Sequence, residues 1–169
     1  MKNAPFGSSG AAVFALAICV VGPVGTPQDA QAGSCSQAKT FLVEDIGMVA
    51  IAEPDTIDDW RTRQKIPGCR VTAAGLTERS LQEEAIRFFE RVREAGWTRT
   101  PDPRDAPNEA SLRFRMNEVD CLFNFYSGSL LGTEAEAAVG RDVVAEDGQR
   151  RFNFLVTCMP AMEAAPREG

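Results

Sequence analysis

The chain contains no histidine, a single tyrosine and only three lysines among its 169 residues. Without imidazole, the usual general base, the Ser-His and Cys-His nucleophile pairs and the commonest zinc ligand are all excluded. No C-x-x-C pair is present, nor a phosphate-cradling glycine motif or the ligand spacing of a zinc site. Ser127-Gly128-Ser129 places serines beside a glycine, but a catalytic serine here needs a lysine base. Neither Lys39 nor Lys65 stands at Ser-x-x-Lys spacing from it, so it reads as a turn. No cofactor or metal is expected from these patterns.

Long hydrophobic runs are also missing. The longest, Ala11 to Val21, falls well short of the roughly 20 residues that span a bilayer core. It follows Lys2 and precedes Gly22-Pro23 and the small-x-small triplet Ala30-Gln31-Ala32, the three-part layout of a cleavable signal peptide. Residues 1–32 are therefore read as a signal, cleaved after Ala32, with the mature chain starting at Gly33. Two alternatives retain a membrane anchor. Leu16-Ala17-Ile18-Cys19 resembles a bacterial lipoprotein box, with Ile18 where that family has a small residue, and an uncleaved signal would act as a tether. The expected location is periplasmic or secreted, with no transmembrane helix in the mature chain.

Excess positive charge is absent as well. The formal net charge is -6, and Lys2 and Asp29 cancel, so the mature chain keeps all of it. Repulsion from phosphate opposes nonspecific nucleic-acid binding. Residues 33–160 suit one domain, and residues 161–169, short of apolar side chains, read as a frayed tail.

What remains is four mature cysteines, Cys35, Cys69, Cys121 and Cys158, in a compartment where thiols oxidise. Two structural disulfides are expected, in one of three connectivities. Cys121, Phe123 and Phe125 alternate on one face of a strand, and Phe152, Phe154, Val156 and Cys158 on another. Paired antiparallel with Cys121 opposite Cys158, the strands set Phe123 against Val156 and Phe125 against Phe154, and a one-residue slip destroys the match. This favours Cys121–Cys158 and leaves Cys35–Cys69.

The strongest local signal is a helix over Leu81–Ala95. Ser80 and Glu83 form a capping box, Leu81, Ala85, Phe88, Phe89 and Val92 share a face, and Gly96 supplies a left-handed stop before Trp97. Cys69, Val71 and Ala73 alternate as a first core strand, and Leu112, Phe114 and Met116 as another whose arginines face water. Asn117-Glu118 marks a reversal, Thr133 and Glu136 cap a short helix through Val139, and Asp147-Gly148 signals a hairpin. Residues 98–110, with Pro101, Pro103 and Pro107, read as a loop. Residues 33–64 show no sustained period, with a short strand or helix near residue 41. Pro54 and the acids after it read as a turn capping one helical turn through Trp60. The fold class is α+β, an antiparallel sheet of four to five strands on one main helix.

Three constellations bear on function. Glu53, Asp55, Asp58 and Asp59 are close enough for calcium, but Pro54 interrupts them and the EF-hand spacing is missing, which favours a solvated turn. Carboxylate pairs perform glycoside hydrolysis without histidine, yet no local motif singles one out. Trp97, Arg99, Arg104, Arg113 and Arg115 form a basic and aromatic set on an acidic chain, a candidate binding patch for an anionic or protein partner. The expected function is a non-catalytic exported protein, a binding module or accessory subunit of an envelope-associated complex. The alternative is a carboxylate-based hydrolase of envelope or extracellular polysaccharide.

Overall fold

The computed structural model describes Met1 and residues 27–100 and 111–162. The apolar run with Cys19, the proline-rich segment carrying Arg104 and the last seven residues lie outside the described residues. The elements are α1 (Pro27–Thr40), a π-helical turn (Phe41–Asp45), β1 (Val49–Asp59), β2 (Gln64–Thr77), α2 (Leu81–Glu94), β3 (Thr98–Arg99), β4 (Ser111–Met116), β5 (Val119–Tyr126), α3 (Glu134–Asp142) and β6 (Arg150–Pro160). Six strands form one antiparallel sheet in the order β1-β2-β6-β5-β4-β3, so β6, last in sequence, fills the centre. Among the described residues the sheet has six strands rather than four or five, and α1 joins the main helix α2 and the expected short helix α3.

The expected β5–β6 register holds: Cys121 opposes Cys158, Phe123 opposes Val156 and Phe125 opposes Phe154. Disulfides join Cys35 to Cys69 and Cys121 to Cys158, with Cα atoms 5.9 and 4.1 Å apart. Cys69 also opposes Cys158 across β2 and β6, so three cysteines form one row across the sheet and α1 brings Cys35 onto it.

α2 begins as its caps dictate. The Ser80 hydroxyl accepts from the Glu83 amide, and the Glu83 carboxylate accepts from the Ser80 amide. Its end is a Schellman motif: Gly96, at φ 91°, donates to the Arg93 carbonyl and Trp97 to the Val92 carbonyl. That reversal drives Trp97 into the core against Phe123, with ring centroids 5.4 Å apart. Phe88 stacks on Phe154 at 3.7 Å and also meets Phe41 and Phe123. α1 and the π-helical turn extend the same core with Ala38, Phe41 and Leu42.

Residues 33–64 resolve into α1, the π turn and β1, none of which has a clean apolar period. Pro54 and its acidic neighbours are not a turn but the middle of β1. β1 is an edge strand, where a missing N–H costs little. The reversal lies instead at residues 60–63, closed by Arg63 at φ 58° and by the Asp59 carboxylate, which accepts from the Thr62 amide and hydroxyl. β2 therefore runs straight through Pro67-Gly68. At Gly68 a Cβ would strike the Cys158 carbonyl oxygen and the Ile57 side chain, so glycine permits the close β2–β6 approach. Asp147-Gly148 does turn, with Gly148 at φ 87°, but it joins an irregular segment to β6 rather than two strands.

α3 covers the other sheet face, packing Val139 and Val143 on Ala74 beside Val49 and Ile51. No described helix is long and apolar enough to cross a membrane.

Candidate functional site

The basic and aromatic set is not brought together. Trp97 is core, and Arg99 lies over the Phe114 ring at 5.6 Å on the face that carries α2. Arg113 and Arg115 lie on the opposite face, where Arg113 is only 1% exposed, which corrects the expectation of a wet strand face. Arg104 is outside the described residues.

What covers Arg113 is the β1–β2 hairpin tip. It brings Asp59 and Arg61 into a chain of ion pairs: Arg113 with Asp59 at 3.5 Å, Asp59 with Arg61 at 3.0 Å, Arg61 with Asp120 at 3.7 Å, and Asp120 with Arg115 at 2.6 Å. Both aspartates are buried. Burial pushes the Asp59 carboxyl up, but hydrogen bonds from Arg61 and Thr62 and the charges of Arg61 and Arg113 outweigh it and hold the group below its usual range. The acidic cluster is likewise dispersed. Asp59 belongs to this chain of pairs, Glu53 and Asp55 pair with Arg70 at 3.2 and 3.7 Å, and Asp58 is exposed. These contacts fasten the hairpin rather than gather oxygens around one point.

Glu136, at the start of α3, is the most enclosed acid of the loop–helix region. Thr133 caps the helix by accepting from the Glu136 amide, as its sequence spacing indicates. The Glu136 carboxylate, however, turns into the preceding loop and accepts from the amides of Leu130, Leu131 and Gly132 and from the Ser129 hydroxyl, at 2.7 to 3.1 Å. The Tyr126 hydroxyl, itself buried, faces this carboxylate outside hydrogen-bond geometry, and burial pushes the phenol up. Burial would raise the Glu136 carboxyl too, but its donors prevail and bring it down to about 2. A carboxylate so fully solvated by amides is a poor proton donor at neutral pH and a weak base. It organises residues 129–132 beside a cleft of about 330 Å³ that also touches Arg151 and Asn153.

Ser36 and Lys39 share Ser-x-x-Lys spacing on α1, a pairing that Ser127 and Ser129 lack. Both side chains are exposed and the Ser36 hydroxyl donates to the Gly33 carbonyl at 2.8 Å. The serine hydroxyl is thus turned to the backbone rather than to the lysine.

Two open grooves flank α2 at one end of the sheet. On one side, Leu81, Ala85, Ile86, Phe89, Phe125 and Tyr126 line an apolar groove of about 480 Å³, with Ile86 57% exposed on its rim. On the other, Arg79, Arg87 and Arg91 line a cleft of about 450 Å³ closed below by Phe88 and Phe152. Phe125 of one groove stacks on Phe152 of the other at 5.7 Å, so a single aromatic floor supports both. The helix signal in the sequence reveals Ile86 as an apolar residue off the buried face, the one local hint of this surface. No protein-family model, curated protein or solved structure matches the chain.

Proposed function

We propose that the protein is an exported, non-catalytic binding module, an accessory subunit that holds a protein partner against the N-terminal half of α2. The observation that carries this reading is the apolar groove with Ile86 raised beside it: a large aliphatic side chain is held in water next to a ready-made apolar furrow. The two disulfides fit an oxidising compartment and brace the sheet beneath α2. Hydrolysis through paired carboxylates draws less support. That chemistry needs one carboxyl raised by an apolar wall. The three described carboxylates with a marked shift, Asp59, Glu83 and Glu136, are all shifted downward.

The test is purification from the envelope fraction under non-reducing conditions, comparing the native chain with Ile86→Asp. The exposed position tolerates the charge, so circular dichroism should be unchanged. A co-purifying protein present in stoichiometric amount with the native chain and reduced at least about tenfold with the variant supports the reading. A native chain that purifies alone, or a variant that keeps its partner, contradicts it.

A further inference from the structure

We infer that the arginine cleft beside α2 binds an acidic peptide segment, which specifies the chemistry of the partner and so rests on the binding-module reading. The cleft inverts the charge of the molecule: a chain of net charge -6 gathers Arg79, Arg87 and Arg91 around one opening. Of the two acids in its lining, Glu78 is exposed and forms no ion pair with these arginines, and Glu84 accepts from the Thr77 hydroxyl at 2.7 Å and pairs with Arg79 at 3.6 Å. Arg91 is anchored by the Asp45 backbone carbonyl, which positions the guanidinium without cancelling its charge. Arg87 makes no ion pair among the described residues, and on α2 it stands one turn from Arg91, so the two forks project side by side. At the rim Arg150 reaches only the carbonyls of Glu78 and Arg79, at 3.5 and 3.4 Å. Arg87 and Arg91 thus line the cleft and Arg150 bonds to the backbone at its edge, and none of the three has a carboxylate partner among the described residues.

Guanidinium forks match carboxylates bidentately. Ile46, half-buried in the same lining, adds an apolar side chain beside Phe88 and Phe152 that a bare inorganic anion would leave uncovered. A segment carrying carboxylates around one aliphatic side chain satisfies both features, and its backbone can continue over α2 toward the apolar groove.

The experiment titrates ¹⁵N-labelled, disulfide-intact protein with the capped tetrapeptide Glu-Leu-Glu-Glu, its Gln-Leu-Gln-Gln analogue and inorganic phosphate, following amide shifts. The acidic peptide should move the amides of residues 76–79, 87 and 149–152. The amide analogue should bind at least about tenfold more weakly, and Arg87→Gln and Arg87→Glu should each weaken the acidic peptide to a similar degree. Arg87 is exposed, so both variants should fold, and the milder one guards against a misfolded reversal. Unmoved cleft amides, equal binding of the analogue, phosphate binding as tightly as the peptide, or unchanged binding by both variants each overturn the inference. If Ile86→Asp releases a partner while the acidic peptide leaves the cleft silent, only this inference falls. If no partner is found, the binding-module reading falls while the peptide titration still reports on the cleft.

Discussion

One face of the central sheet, and the end of the other that α3 leaves to the hairpin tip, are closed by opposite means. Toward α1 and α2 the strands present Val71, Phe114, Phe123, Phe154 and Val156, and closure is by aromatic packing with both disulfides inside it. Toward the hairpin tip they present Arg113, Arg115 and Asp120, and closure is by ion pairs. Apolar packing stabilises without regard to direction, whereas buried charges are tolerated only while every partner stays in place. The first face should therefore tolerate conservative change, and the second should fail when one member is removed.

Phe88→Ala should cause the largest loss, about 3–5 kcal/mol in urea unfolding, because it empties the stack on Phe154 and the contacts to Phe41 and Phe123. Phe88→Leu should recover much of that, the tolerance that marks the apolar face. On the polar face, Asp59→Ala should cost about 3 kcal/mol or more, since it removes the buried carboxylate that Arg61 and Arg113 share. Replacing Asp59 by Asn, nearly the same shape, should recover little, which sharpens the contrast.

Glu136→Gln ranks next, at about 1–3 kcal/mol, because the amide oxygen and nitrogen cannot serve four donors as the carboxylate does. The pH dependence follows in sign. The folded-state pKa of Glu136, about 2, lies below the ordinary carboxyl value, so its stabilisation is complete above about pH 4.5 and is lost as pH falls toward 2. Asp59 acts in the same direction. The stability gap between native chain and Glu136→Gln should therefore narrow across that acid range, measured by denaturant melts at fixed pH. Smallest of all, Glu53→Gln should change stability by less than about 0.5 kcal/mol, since its pair with Arg70 is part-exposed on the edge of the sheet.

The same contrast explains what could be read from the residues alone. Period-2 alternation along β5 and β6 has one solution that hides every phenylalanine, and that solution places Cys121 opposite Cys158. α2 is equally legible, because its caps and apolar face agree. Arg113 is not, because its burial depends on Asp59 and Arg61 folding back from more than fifty residues away, and no local pattern encodes that return. Pro54 misleads for a related reason: a proline reads as a break unless the strand is known to lie on the sheet edge. The α2 grooves need the β2, β5 and β6 ends assembled beneath the helix, so only the exposed Ile86 betrays them in advance.

Site-specific photo-crosslinking in the native compartment tests the central claim most directly, with a photoreactive residue at Ile86 and, as control, at Val144, which is 74% exposed and far from α2 in sequence. Binding across α2 predicts a single discrete adduct from position 86 and none from position 144. No adduct from position 86, or equal labelling from both, would contradict it.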